Sequence, residues 1–280
     1  MISTIPKELL QFGTREIEKP IARLILAVDG VEKTGKSHFA CSAPSPIVYL
    51  NADKSSEDVA YKFTQQGKVI YEIPLRKTYK FSATYTRELA MELMTNFNRA
   101  YKAALELPGV RTIVIDTASE VYDWYTTALL PVGAVPSDYG KYVYPAWVRT
   151  VFEAYDHDKN IIWLHKLKDE VENTTGGPYG SKRTGFKKRA GYRDMTYSVQ
   201  GNILLDRLYI KDGTNPGPFI ARICNSSHNP DAAGEEFKDS DISFQAIANT
   251  LMDEDHRAWL CTGKECKRCY PPKREKKVSE

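Results

Sequence analysis

Apolar residues follow two rhythms along this chain, and the rhythms alternate. Short unbroken runs at 22–29, 46–53, 69–73, 112–117 and 160–165 are rich in Ile, Val, Leu and aromatics. Runs of that length, most closed by a polar or acidic residue, predict buried strands. Between them the spacing turns helical. His38-Phe39-Ala40-Cys41 continues as helix to the breaker cluster Ser42–Pro46, and a further helix is expected over 55–66. Leu89, Leu93, Met94, Phe97, Tyr101, Ala104 and Leu105 mark one face of a long helix over 87–105. Two more helices are expected at about 119–129 and 143–156, separated by Pro131 and the Pro136–Gly140 turn.

Strands alternating with helices argue an α/β fold, a mostly parallel central sheet with helices on both faces. Late in the chain, runs at 202–211 and 218–224 flank the turn 212–217 and read as a hairpin, adding antiparallel strands at one end. Residues 169–195 carry little periodicity and are punctuated by Gly176, Gly177, Gly180, Gly185 and Gly191, so a flexible loop is expected there. The layout expected is a lead-in at 1–20, one domain at 21–255 and a Cys-containing basic tail at 256–280. No internal repeat is found.

Composition excludes more than it assigns. The 280 residues are 42% hydrophobic and 27% charged, and no stretch approaches the eighteen or so apolar residues of a membrane span. The first residues lack the apolar core of a signal peptide. Five cysteines without a disulfide-like framework fit a reducing cytoplasm; Cys41 and Cys224 read as buried packing. The net charge of +3 is unevenly spread. Lys182, Arg183, Lys187, Lys188, Arg189 and Arg193 lie within 178–193 with no acidic residue among them. Residues 264–280 add a balance of +4, which leaves about −7 for the rest of the chain. Concentrated positive charge suits a polyanionic partner.

The strand at 22–29 runs into Gly30-Val31-Glu32-Lys33-Thr34-Gly35-Lys36-Ser37, which fits the phosphate-binding pattern G-x-x-x-x-G-K-[ST] at every fixed position. Gly30 and Gly35 let the backbone turn so that successive N–H groups face phosphate oxygens. Lys36 sets a cation on the β- and γ-phosphates, the Ser37 hydroxyl can ligate Mg²⁺, and His38 follows on the helix whose N-terminus faces the same anion. Thr112–Thr117 supplies the second half of such a site, a core strand ending in Asp116, placed to hold Mg²⁺.

With these motifs in place, the chain resembles the RecA-like P-loop ATPases over about residues 20–225, and most closely the compact phage-encoded ones found near recombination and single-strand annealing genes. The resemblance implies ATP and Mg²⁺, ATP bound between subunits of a ring or filament, and coupling to single-stranded DNA. It implies a water-orienting carboxylate at the end of the strand after the loop helix. Asp53 stands there in place of the usual Glu, with Glu120 in reserve. It also implies a polar γ-phosphate sensor ahead of a DNA-binding loop, and His165 holds that place, with a strand-end cap as its other reading.

The segment beyond His165 agrees with that implication on local chemistry. Lys182, Arg183, Lys187, Lys188, Arg189 and Arg193 supply phosphate-neutralising charge, and Phe186 and Tyr192 supply stacking surfaces. A solvated surface loop and a basic lid over ATP are the other readings. Arg207, Lys211 and Arg222 are candidates for a cation acting in trans. In the tail, His256, Cys261, Cys266 and Cys269 could hold Zn²⁺ or remain reduced thiols. A P-loop kinase of a nucleotide or small molecule, and a non-hydrolysing assembly switch, stand as alternatives to the DNA-coupled ATPase.

Overall fold

The computed structural model of the chain describes residues 23–53, 57–76, 86–173, 181–209 and 216–252. The lead-in, Lys211, and the tail residues His256, Cys261, Cys266 and Cys269 lie outside the described residues, as do 54–56, 77–85 and 174–180.

Five parallel strands form the centre: β1 (Ile25–Gly30), β2 (Ile47–Asn51), β3 (Ile70–Pro74), β4 (Thr112–Asp116) and the first half of β5 (Asn160–Asn173). The spatial order is β3-β2-β4-β5-β1, continued by β7 (Gly201–Tyr209), β8 (Pro216–Ser226) and β9 (Glu236–Lys238). β7 runs parallel to β1; β8 and β9 are antiparallel additions. Among the described residues β6 (Ser181–Arg189) pairs only with the far half of β5. This is a mixed α/β architecture with a mostly parallel central sheet and antiparallel strands at one end, as the strand and helix rhythm implied.

The central strands are apolar on both faces because helices cover both. On one face α3 (Arg87–Glu106), α4 (Ala118–Leu129) and α5 (Tyr144–Glu153) bury Phe97, Tyr101, Trp124 and Trp147 against Trp163 of β5. On the other, α1 (Lys36–Cys41), α2 (Glu57–Gln65) and α6 (Phe244–Leu251) bury Phe39, Phe63 and Phe244 against Leu26, Val28 and Leu164. Each fully buried Leu or Phe contributes about 1.5–3 kcal/mol. Local signals set the helix starts. Thr86, Thr117 and Ser243 cap α3, α4 and α6, each hydroxyl accepting a backbone N–H three residues on.

Two expectations are corrected. Residues 169–195 are not a loop throughout. β5 continues from the sheet to Asn173, and β6 returns antiparallel beside it, pairing Leu167 with Arg189 and Asn173 with Ser181. Apart from Leu167, Val171 and Phe186 the arm is mostly polar, so no sustained apolar alternation announced it. Cys224 is exposed, because the alternation on β8 turns Ile223 inward and Cys224 outward. Cys41 is buried as expected.

Candidate functional site

A cavity of about 520 Å³ opens at the carboxyl ends of β1, β2, β4 and β5 and is lined by Lys36, Ser37, Asp53, Asp116 and Lys166 among others. Open parallel sheets place ligands at these ends, where strands deliver side chains and the following loops turn away.

The loop after β1 is shaped by close approach. A Cβ at Gly30 would lie 2.5 Å from Thr34 Oγ1 and 2.7 Å from the Leu205 carbonyl, so no larger residue fits without movement. Gly35 takes φ +89°, the left-handed region that glycine adopts without steric cost. Thr34 Oγ1 donates to the Val31 carbonyl at 2.9 Å and braces the turn. Lys36 crosses the loop, its Nζ donating to the carbonyls of Gly30 and Val31 at 2.8 and 2.6 Å. Burial lowers the Lys36 pKa, against the pull of Asp116.

Asp116 is 2% exposed and accepts from Ser37 Oγ at 2.9 Å and from the Tyr49 hydroxyl. Burial pushes its carboxyl above the usual range, although both hydroxyls favour the charged form. Tyr49 was not singled out from sequence. It reads as an ordinary apolar residue of β2, and only the parallel pairing of β2 with β4 brings it beside Asp116.

Lys166 is the second residue that sequence reasoning missed. Its Nζ lies 3.1 Å from Asp53 Oδ2 and 2.9 Å from Glu120 Oε1, and Arg76 meets the other Glu120 oxygen at 2.5 Å. Burial opposes the charges on Lys166 and Glu120. Their mutual contact, with Asp53 and Arg76, nevertheless raises the Lys166 pKa and lowers that of Glu120. Both carboxylates considered for water activation are therefore held by one ammonium.

His165 does not line this cavity. Its side chain is fully buried beside β1, where it registers with Asp29, and neither ring nitrogen has a hydrogen-bond partner among the described residues. Burial, with the like charge of Arg189, drives its pKa well below 6.5, so the ring is neutral. Alternation along β5 explains the exchange: the position that reaches the cavity is Lys166, one residue on.

The basic arm is likewise sorted by the structure. Arg189 is not a free phosphate contact. Its guanidinium forks onto Asp29 at 2.7 and 2.6 Å and onto Asn202 at 2.8 Å, with its side chain 8% exposed. Tyr192 is not an exposed stacking surface, since its ring packs against Tyr122 and Tyr144. Phe186, Lys187, Lys188 and Arg193 are exposed, and Lys187 pairs with Asp169. Side-chain placement of Lys182 and Arg183 lies outside what is described. Of the cations considered for action in trans, Arg222 holds Glu236 and Arg207 lies 4.6 Å over the Phe219 ring.

Among the described residues no group of His, Cys, Asp and Glu forms a metal cluster, and no helix is long and apolar enough to cross a membrane. No protein-family model matches the chain, and no curated protein matches it. Among solved structures, the crystal structure of the flagellar accessory protein FlaH from Methanocaldococcus jannaschii is similar to this chain. The match covers 77% of this chain and 82% of FlaH, at 12% identity and a TM-score of 0.40.

Proposed function

We propose that this chain is a Mg²⁺-dependent ATPase whose exposed β5–β6 arm binds single-stranded nucleic acid under the control of the bound nucleotide. The observation that carries the reading is the convergence of Lys36, Ser37, Asp116, Asp53 and Lys166 in one cavity at four adjacent strand ends.

Gly30–His38 would wrap the phosphates, with backbone N–H groups and Lys36 as donors. Ser37 Oγ and the Asp116 carboxylate, 2.9 Å apart, are hard oxygen donors of the kind Mg²⁺ takes, directly or through water. When bound, the ion neutralises phosphate charge and supports displacement at the γ-phosphorus. Asp53 or Glu120 orients the attacking water, and Lys166, midway between them, supplies positive charge beside the γ-phosphate.

Lys166 also stands where β5 leaves the sheet. Its backbone N–H donates to Ser119 Oγ, which in turn donates to the Ala190 carbonyl at the foot of β6. A shift of Lys166 toward phosphate would therefore bear directly on the arm. There, Lys182, Arg183, Lys187, Lys188 and Arg193 would meet phosphates and Phe186 would stack on a base. The ion pairs that occupy Asp53 and Glu120 favour a second reading, a slow or non-hydrolysing switch that responds to ATP occupancy.

The test is ATP binding and hydrolysis with and without single-stranded DNA. Lys36→Ala is expected to weaken ATP binding roughly 10- to 100-fold with thermal unfolding unchanged. Lys182→Ala/Lys187→Ala/Lys188→Ala is expected to keep basal hydrolysis and lose the response to DNA. A wild-type rate indifferent to DNA, with no gel shift at moderate salt, removes the nucleic-acid part. Absence of single-turnover hydrolysis by a protein that binds ATP selects the switch.

A further inference from the structure

Beyond the phosphate loop, four charged side chains form a line in which one ammonium serves two carboxylates. Lys166 Nζ lies 3.1 Å from Asp53 Oδ2 and 2.9 Å from Glu120 Oε1, and Arg76 Nη2 lies 2.5 Å from Glu120 Oε2. These contacts raise the Lys166 pKa and lower that of Glu120, so both are charged at neutral pH. The two ends of the line face different ways. Asp53 and Lys166 line the cavity, and neither Glu120 nor Arg76 is among the described residues that do.

The end away from the cavity is fixed. Glu120 stands in the first turn of α4, and the Thr117 hydroxyl accepts its backbone N–H. The Arg76 guanidinium carbon lies 5.7 Å from the ring centroid of Trp124, which is fully buried. The Lys166 backbone is held as well. Its N–H donates to Ser119 Oγ at 2.9 Å, and its carbonyl accepts the Ala190 N–H at 2.8 Å. What remains adjustable is the flexible four-carbon stem that carries the Lys166 ammonium.

We infer that the Arg76–Glu120 pair positions Lys166: Glu120 draws the ammonium off Asp53 and Arg76 limits that draw, so the pair sets how far Asp53 is available to the attacking water. This assignment rests on the nucleotide reading of the cavity. With a cation at each oxygen and no place in the cavity wall, Glu120 is poorly set to meet that water itself. Arg76 offsets part of the Glu120 charge and repels the Lys166 ammonium, and so governs how the ammonium is shared. In the step served, the water oxygen bonds to the γ-phosphorus. The bond to the bridging oxygen breaks with its electron pair on ADP, and the water proton passes by way of Asp53 to solvent.

The experiment measures ATP affinity and single-turnover hydrolysis separately, with thermal unfolding as the check on the fold. Glu120→Gln leaves Lys166 to Asp53 alone and is expected to slow hydrolysis about tenfold. Arg76→Gln strengthens the draw of Glu120 and is expected to quicken hydrolysis about threefold. ATP affinity is expected to stay within about threefold of wild type in both. Opposite signs at constant affinity are not what a merely structural pair gives. Arg76→Gln/Glu120→Gln, which leaves neither charge without its partner, is expected to be as slow as Glu120→Gln. On a Lys166→Met background, Glu120→Gln is expected to change the rate less than about twofold, because it acts through the ammonium.

A wild-type rate in Glu120→Gln, or a rate lowered by Arg76→Gln, would overturn the positioning role and leave ATP binding intact. So would a full tenfold loss from Glu120→Gln on the Lys166→Met background, the mark of a Glu120 that orients water itself. Hydrolysis absent from wild type and Arg76→Gln alike, in protein that binds ATP, would overturn it too. A wild type that binds no ATP would overturn the nucleotide reading as well.

Discussion

The foot and the outer length of the β5–β6 arm carry similar residues in opposite settings. At the foot, Arg189 is buried in a fork with Asp29, next to the first residue of the phosphate loop, and the neutral His165 ring lies in the same layer of the sheet. Further out, Lys187 meets Asp169 and Phe186 stands 71% exposed. The same basic segment thus contains a structural cation and solvent-facing ones. Charge count does not separate them; burial does. A buried charge must be paired or the fold suffers, while an exposed charge is left available to a partner.

The sharpest way to break this contrast is Arg189→Ala, which leaves the half-buried Asp29 without its cation. A loss of about 3–5 kcal/mol in chemical denaturation is expected, and replacing both partners by apolar residues (Asp29→Leu/Arg189→Met) should cost far less. A loss below about 1 kcal/mol would place Arg189 with the surface charges.

The buried layer should also respond to acid. The folded pKa of His165 is depressed, so the unfolded chain takes up the proton first as pH falls. The stability that the neutral ring allows is present above 6.5 and is lost below it. Unfolding free energy is expected to fall by roughly 1.4 kcal/mol per pH unit below that value. His165→Leu should flatten this dependence, as denaturant titrations at several pH values would reveal.

The smallest effect is expected from Lys187→Ala at the exposed part of the arm. It should change stability by less than about 1 kcal/mol, yet lower the salt dependence of nucleic-acid binding by about one phosphate contact. A large stability loss there would mean that the outer arm is structural too.

Much of the site lay open to sequence reading. The loop Gly30–Ser37 is local, because a phosphate cradle needs glycines, a lysine and a hydroxyl at fixed spacing. Asp116 and Asp53 were legible because an apolar run that ends in a carboxylate marks a strand end. His165 was expected at the cavity, but its side chain is buried away from it and Lys166, one residue on, lines it instead. The apolar run at 160–165 announced where the strand lies in the core, but not that it continues to Asn173 with Lys166 reaching the cavity. The arm was illegible as structure, since its two strands pair through backbone groups and its side chains, apart from Leu167, Val171 and Phe186, are mostly polar.

The sequence by itself determined the alternating strand and helix rhythm, the phosphate loop and the acidic strand ends, because each depends on neighbours a few residues apart. Tertiary structure alone decided which cations are available. Lys166 reaches Asp53 and Glu120 across more than forty residues of chain, and Arg189 reaches Asp29 across 160. Such pairs depend on strand order and register, which set distance and burial together. Those two quantities, rather than residue type, decide what a charge does.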